Sequence, residues 1–303
     1  MTEITSTPST QRCGYVAIVG RPNVGKSTLM NLLIGFKVSA TANKPQTTRH
    51  SIRGILTEDD YQMIFVDTPG IHRTSKSLLN KTINLEAVAA LEGVDAVVMI
   101  VEVLKWQDED DLVLQRLGHV TCPVFLVANK VDRLEKKERL LSWLPEVLAK
   151  YPFKEIFPLS ATKGTNTQQL KASLAKVMPQ QDWVYAEDDV TDQSTRFICG
   201  ELIREQLMTY LHQEMPYSTA IEIETFEEKP KLTEINAVIW VSRENQKGIV
   251  IGNKGDTLKR IGSSARFALE AFLERKVMLK LWVRVEENWE NSPRHLQSLG
   301  IST

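Results

Sequence analysis

The chain has 303 residues, 25% of them charged and 42% hydrophobic, with a formal net charge of −1. That length fits two domains, and the near-neutral total excludes whole-protein attraction to nucleic acid or anionic lipid, so any such binding needs a local patch. Cys13, Cys122 and Cys199 are too scattered for a disulfide framework or a thiolate metal site, as a reducing cytoplasm would have it, and no apolar run approaches the roughly 18 residues of a membrane span.

Residues 1–12 are rich in Ser and Thr but carry Glu3 and only Arg12 as a base, poor material for a targeting peptide, and read as a flexible tail. Tyr15 to Val19 is an apolar strand. It runs into Gly20-Arg21-Pro22-Asn23-Val24-Gly25-Lys26-Ser27-Thr28, and Leu29, Leu32 and Leu33 then suit one helix face. Strand, glycine loop and helix are the context in which G-x-x-x-x-G-K-S reads as a phosphate cradle rather than an ordinary turn. The glycines let backbone N–H groups turn toward phosphate oxygens, and the helix adds its positive end. Lys26 is expected to reach the β- and γ-phosphates, and the Ser27 hydroxyl to take a Mg²⁺ position.

Strands near 50–56 and 61–67, joined through Glu58-Asp59-Asp60, form a hairpin that ends in Asp67-Thr68-Pro69-Gly70. Alone, D-x-x-G is a common turn. About 40 residues beyond the first loop, Asp67 can hold Mg²⁺ and the Gly70 N–H can meet a γ-phosphate. Further strands near 95–101, 123–128 and 155–160 alternate with helical patterns near 79–92, 107–117, 134–149 and 166–177, with Leu140, Leu141 and Leu144 as core candidates. The alternation predicts an α/β fold, a mostly parallel sheet with helices on both faces and a ligand at the carboxyl ends of the strands.

One of those ends carries Asn129-Lys130-Val131-Asp132. A carboxylate at Asp132 can accept from the ring N–H and the exocyclic amine of guanine, an arrangement adenine does not offer, and a site left unpaired by the wrong base discriminates by roughly 10⁴ or more. The strand before Ser160-Ala161-Thr162 places the Ala161 N–H to meet the guanine carbonyl. Asn129 is expected to tie the two loops together, and the Lys130 stem to pack on the base.

After Pro179 the chain turns polar and acidic through Asp182, Glu187, Asp188, Asp189 and Asp192, which reads as a linker over 181–194 between a nucleotide domain at 13–180 and a second domain at 195–303. Phe197 to Gln213 has helical spacing. Thr219 to Phe226 and Leu232 to Val241 alternate as strands, Ile221 and Ile223 on one face, Glu222 and Glu224 on the other. Ile251-Gly252-Asn253-Lys254-Gly255 follows, then a helix through Leu273 and a strand from Val277 to Val285. A bare GxxG is usually a turn. In the order helix–strand–strand–helix–helix–strand it predicts an α+β KH type II module, whose glycines let a nucleic-acid backbone approach main-chain N–H groups. From Arg243 to Lys280 nine basic residues, Lys259 and Arg260 among them, face four acidic ones, enough to neutralise a few phosphates.

Together, G-R-P-N-V-G-K-S, D-T-P-G, N-K-V-D and the later V-I-G-N-K-G resemble the Era family of bacterial GTPases over nearly the whole chain. The resemblance implies a P-loop GTPase domain followed by a KH domain, GTP or GDP with Mg²⁺ as ligands, and a monomer assisting small ribosomal subunit assembly by binding the 3′ end of small-subunit ribosomal RNA rather than DNA. It further implies that Lys44 to Arg49 is a first switch in which Thr48, or else Thr47, binds Mg²⁺, and that Asn23 helps hold a K⁺ ion. Lys26, Thr48, Asp67 and Gly70 are then the catalytic set. Ile71 stands where a Ras-type enzyme carries a water-orienting glutamine, so unaided hydrolysis is expected at about 10⁻³ s⁻¹ or below. The competing reading is a membrane-associated GTPase of growth or division, peripheral at the inner face of the cell membrane.

Overall fold

The computed structural model describes residues 11–301 apart from 43, 45, 46, 71–76, 137, 213 and 214. They fall into two compact units, one of residues 1–39, 48–73 and 85–192, the other of 40–47, 74–84 and 193–303.

The first unit is a six-stranded sheet with helices between the strands. In chain order it contains β1 (Arg12–Val19), α1 (Lys26–Ile34), β2 (Ile52–Glu58), β3 (Tyr61–Asp67), α2 (Leu78–Ala89, whose first turns belong to the second unit), β4 (Ala96–Glu102), α3 (Asp108–Leu117), β5 (Val124–Asn129), α4 (Arg139–Leu148), β6 (Ile156–Pro158) and α5 (Thr167–Val177). The strand order is β2-β3-β1-β4-β5-β6, with only β2 antiparallel to its neighbour. Chain order reverses between β1 and β4, and the glycine loop leaves the end of β1 at that switch point. Every residue of β4 and β5 is buried, because an internal parallel strand is covered on both faces and must be apolar throughout.

Two helices present different faces from those expected. On α1 the buried apolar side chains are Leu29, Met30 and Leu33, while Leu32 is exposed; Met30 fills the flank assigned to Leu32. On α4 the buried line is Trp143 and Val147, one turn apart, flanked by the partly buried Leu140 and Leu144. Leu141 is 76% exposed, since two residues along a helix turn it about 200° away from Trp143. The leucine run hid the face that the tryptophan sets.

The polar stretch after Pro179 lies along β2 and β3. Gln62 on β3, fully buried, accepts from the amides of Val184 (3.0 Å) and Tyr185 (2.9 Å) and donates to the Tyr185 carbonyl (3.0 Å). Ile55 N donates to the Val190 carbonyl, Thr191 Oγ1 to the Arg53 carbonyl, and Trp183 and Tyr185 pack on Cys13, Ile55 and Ile64. Acidic composition masked these two aromatic anchors.

The second unit has α6 (Thr195–Tyr210), β7 (Thr219–Glu228), β8 (Thr233–Val241), α7 (Glu244–Ile251), α8 (Asp256–Leu273), β9 (Val277–Val285) and α9 (Pro293–Ser298). Its sheet is β7-β8-β9, antiparallel then parallel. Ser194 caps α6 by accepting from Phe197 N, and Ile198, Leu202, Ile203 and Leu207 are buried as their spacing predicts. Ile223 is buried and Ile221 partly buried, but the opposite face of β7 is not simply solvated. Ala220 is buried with Trp289, Leu296 and Ile301 from the C-terminal segment, and Glu222 accepts from Trp240 Nε1 at 2.7 Å. The sequence reading did not foresee this covering segment or α9. No described helix is long and apolar enough to cross a membrane.

Candidate nucleotide site and candidate nucleic-acid interface

The tips of β1, β3, β5 and β6 carry the four expected motifs. Gly25, at φ +106°, precedes α1, and a Cβ there would lie 2.3 Å from Asn129 Nδ2, so the loop admits no side chain at that point. The contact has a purpose, for Asn129 Nδ2 donates to the Val24 carbonyl (2.7 Å), and Asn129 Oδ1 accepts from Lys130 N (2.8 Å) and Ala161 N (2.9 Å). Asn129 thus joins the phosphate loop, its own loop and the 160–162 loop. The Ala161 amide expected to face a base carbonyl is engaged by Asn129 instead.

Lys26 is buried, its Nζ donating to the carbonyls of Gly20 (3.0 Å) and Arg21 (3.2 Å). Burial lowers its ammonium to about 8, against the attraction of Asp67. Asp67, also buried, accepts through Oδ2 from Ser27 Oγ (2.6 Å), Ser39 Oγ (2.9 Å) and Thr48 Oγ1 (3.2 Å), and Ser27 Oγ lies 2.9 Å from Thr48 Oγ1. Burial pushes the Asp67 carboxyl up, with Lys26 and the three hydroxyls opposing. Its Oδ1 has no hydrogen-bond partner among the described residues. The Ser27 and Thr48 hydroxyls and an orphaned carboxylate oxygen in one buried cluster form a hard-oxygen donor set that fits Mg²⁺. No group of three or more His, Cys, Asp or Glu able to hold a metal exists among the described residues.

Thr48 belongs to that cluster and Thr47 does not. The Thr47 hydroxyl donates to the Ala42 (3.2 Å) and Lys44 (2.6 Å) carbonyls in the second unit. Thr28 lies beyond Ser27 on α1, partly buried, while Thr68 Oγ1 donates to the Ile18 carbonyl at 2.8 Å, and Pro69 and Gly70 are buried beside it. Ile71 lies outside the described residues, as do Pro45 and Gln46. Asp132 is exposed, with Oδ1 accepting from Ser160 Oγ at 2.6 Å; Thr162 Oγ1 is 3.1 Å from the same hydroxyl, and Val131 N donates to the Leu159 carbonyl.

A second layer escaped sequence reading. Arg21 turns its side chain away from the phosphate cradle, Nε donating to Asp110 on α3 at 3.2 Å, beside Glu102. Glu102 also takes Lys130 Nζ (2.8 Å) and Lys105 Nζ (2.5 Å), and Lys130 reaches on to the Asn23 carbonyl at 2.8 Å, with Pro22 between these anchors. Burial raises the Glu102 carboxyl, but the two lysines outweigh it and pull it down to about 2. Asp110 gives one readable sign, its place three residues after Gln107, whose N–H it accepts in a capping box. Nothing in the sequence pairs it with Arg21.

In the second unit, Ile251 packs in the core and Gly252 ends α7 at φ +76°, where a Cβ would meet Thr257 Oγ1 at 2.2 Å. Asn253 and Lys254 are exposed, and Gly255 leads into α8. A cleft of about 400 Å³ runs from Gly255 along Lys259, Gly262 and Arg266 to Leu279 and Leu281 of β9. Lys259 lines it as expected. Arg260 does not, its guanidinium lying 5.2 Å over the Tyr210 ring; one residue further along the helix faces about 100° away. Arg266, two turns after Lys259, is the cleft cation that reading missed.

Comparison with known proteins fits this geometry. Residues 15–130 match the family model of 50S ribosome-binding GTPases, and residues 214–290 that of KH domains. The GTPase Era of Pseudomonas entomophila is 49% identical over 303 residues, 99% of each chain, and that of Marinobacter nauticus 48%, over 100% of this chain and 99% of the other. Two Era crystal structures superpose with TM-score 0.93 at 36% identity, covering 97% of this chain and 100% of theirs. One is an Aquifex aeolicus Era variant with GDP·AlF₄⁻, the other Era with MgGDPNP and nucleotides 1506–1542 of 16S ribosomal RNA. With near-complete coverage on both sides and both modules in the same order, this chain belongs to the Era family of GTPases.

Proposed function

We propose that this chain is a GTP-hydrolysing switch that binds the 3′ end of small-subunit ribosomal RNA and assists assembly of the small ribosomal subunit. One observation carries the nucleotide half: Ser27, Thr48 and Asp67, from three separate segments, converge in a buried cluster with an unsatisfied carboxylate oxygen beside Lys26. The RNA half rests on the glycine-loop cleft and on the relative that holds 16S ribosomal RNA. The nucleotide domain spans 13–180 and the RNA domain 195–303, and the connecting segment 181–194 is packed along β2 and β3 through most of its length. The chain acts as a monomer in the cytoplasm, any membrane contact being peripheral at the inner face.

Lys26 leaves the Gly20 and Arg21 carbonyls for the β- and γ-phosphates, and the loop amides from Asn23 to Thr28 take up phosphate oxygens. Ser27, Thr48 and Asp67 are the residues that would hold Mg²⁺, which when bound neutralises charge on those phosphates; Asn23 would hold a K⁺ ion that adds to that neutralisation. Asp132 accepts the two guanine donors, and Lys130, held by Glu102, flanks the base. Gly70 offers its N–H to the γ-phosphate. Ile71 can neither orient nor deprotonate water, so hydrolysis is slow until RNA or the ribosome reorganises the site. Ile251, Gly252, Asn253, Lys254, Gly255 and Lys259 make the RNA contact, with Arg266 on the cleft wall and Arg260, stacked on Tyr210, outside it.

Single-turnover hydrolysis tests the first half: wild type converts GTP at about 10⁻³ s⁻¹ or below, and Lys26→Ala loses at least tenfold more. Crosslinking and sequencing of bound RNA tests the second. Enrichment of messenger or transfer RNA over ribosomal RNA would overturn it.

A further inference from the structure

A second concavity, of about 550 Å³, opens in the nucleotide unit between the turn after β4 and the loop that leads into α4. Asp132 and residues 160–162 do not line it, so it is not the base site, with which it shares only Lys130. Its walls hold five basic residues against two acidic ones, Glu102 and Glu135. Glu102 is already occupied by Lys105 and Lys130. That leaves Arg133, Lys136 and Arg139, all exposed, with Glu135 the one other acid in the lining. In a chain of net charge −1 these cations make a local positive patch, and the concave surface they line focuses its field on an incoming anion.

We propose that this cavity is a second RNA contact, in which Arg133, Lys136 and Arg139 take backbone phosphates of the small ribosomal subunit at a place remote in sequence from the glycine loop. Two guanidinium forks suit bidentate phosphate recognition, and the lysine adds a point charge. Arg139 opens α4, so the helix end adds to the same sign. A lipid surface suits the site less well, because it is concave and keeps Glu102 and Glu135 in its wall, whereas a strand carrying one charge per nucleotide can thread it. The contact rests on the ribosomal-RNA reading above but not on the KH cleft. Because Lys130 and Glu102 also line it, phosphate bound there lies beside the residues that position the base-reading loop.

The test compares three full-length proteins: wild type, the triple variant Arg133→Glu, Lys136→Glu, Arg139→Glu, and a control triple variant Arg116→Glu, Lys154→Glu, Lys176→Glu, whose exposed cations lie outside the cavity on the same unit. Each is titrated with a 16S 3′-end fragment and with purified small subunits at several salt concentrations, and its GTP-analogue affinity is measured as a folding control. The expected result is that the cavity variant keeps its fragment and nucleotide affinity within about twofold but binds subunits at least tenfold more weakly, with a salt slope smaller by about 2. Subunit affinity and slope equal to wild type, or an equal loss in the control variant, would overturn the proposal. So would cavity-dependent binding to anionic phospholipid vesicles without any loss on subunits. If wild type itself ignores subunits, the ribosomal-RNA reading falls and takes this contact with it; if wild type binds and the cavity variant binds as well, only the contact falls.

Discussion

Lys26 sits where its protonation and its ligand are linked. In the nucleotide-free protein burial holds its ammonium at about 8, below the ordinary 10.5, so between those values the unfolded chain carries a proton that the folded chain has lost. Stability therefore rises with pH across that window, by up to roughly 3 kcal/mol. A triphosphate needs the charged form, so binding above pH 8 must take up a proton. GTP affinity is then expected to fall by up to about tenfold per pH unit above 8, and calorimetry in buffers of different ionisation enthalpy should show the uptake. A pH-independent affinity between 7.5 and 9.5 would refute the linkage. The neighbouring threonines make a second prediction. Thr48 lies in the Asp67 cluster and Thr47 turns to its own loop carbonyls, so Thr48→Ala should lower single-turnover hydrolysis at least tenfold and weaken its Mg²⁺ dependence, with Thr47→Ala within about threefold of wild type. Lys26, Ser27 and Asp67 were legible because motif and strand context coincide. Ser39 and Asp110 were not, since a lone serine in a loop and one acid in a run of four carry no mark of the residue each will meet.

Elements were legible to the extent that local pattern decided them. The nine strands among the described residues were anticipated within a few residues, because alternating or continuous apolar runs bounded by turns leave little choice. Faces were less legible: leucine density pointed to Leu141, whereas packing chose Trp143 and Val147. The stretch after Pro179 is the sharper case, polar by composition yet held along β2 and β3, where the buried Gln62 amide makes three of its hydrogen bonds. Gln62→Ala would leave the Val184 and Tyr185 amides without their acceptor, which should cost about 2–4 kcal/mol in denaturant unfolding and raise hydrogen exchange across 183–190. Leu141→Glu, changing an exposed position, should stay within about 0.5 kcal/mol. Equal losses in the two variants would mean that the strap is not held through Gln62.

At the scale of the molecule, the pairing of a guanine-nucleotide module with a KH module was readable from motifs alone, but the sorting of the chain between the two units was not. Residues 40–47 cluster with the second unit through partners more than a hundred positions away. Thr41 N donates to Glu205 at 2.8 Å, Arg204 donates to the Thr47 carbonyl, and Lys44 donates to the carbonyls of Met208 and Leu211 at the end of α6. The next residue, Thr48, is in the first unit's Asp67 cluster. Because the residues before Thr48 are fastened to the second unit, the proposed switch predicts that a γ-phosphate ordering Thr48 acts on that unit through covalent continuity and so changes RNA affinity. Coupling of 1–3 kcal/mol corresponds to about 5–150-fold, and linkage requires RNA to shift GTP affinity by the same factor. Filter binding should accordingly give RNA affinities at least fivefold apart for the GTP-analogue and GDP forms of wild type. Lys44→Ala removes one fastening without touching the nucleotide cluster, so it should draw that ratio toward unity while leaving GTP affinity within about twofold. A Lys44→Ala protein with the full wild-type ratio would show that the fastening does not transmit the switch, and equal affinities in wild type would show that there is no switch to transmit.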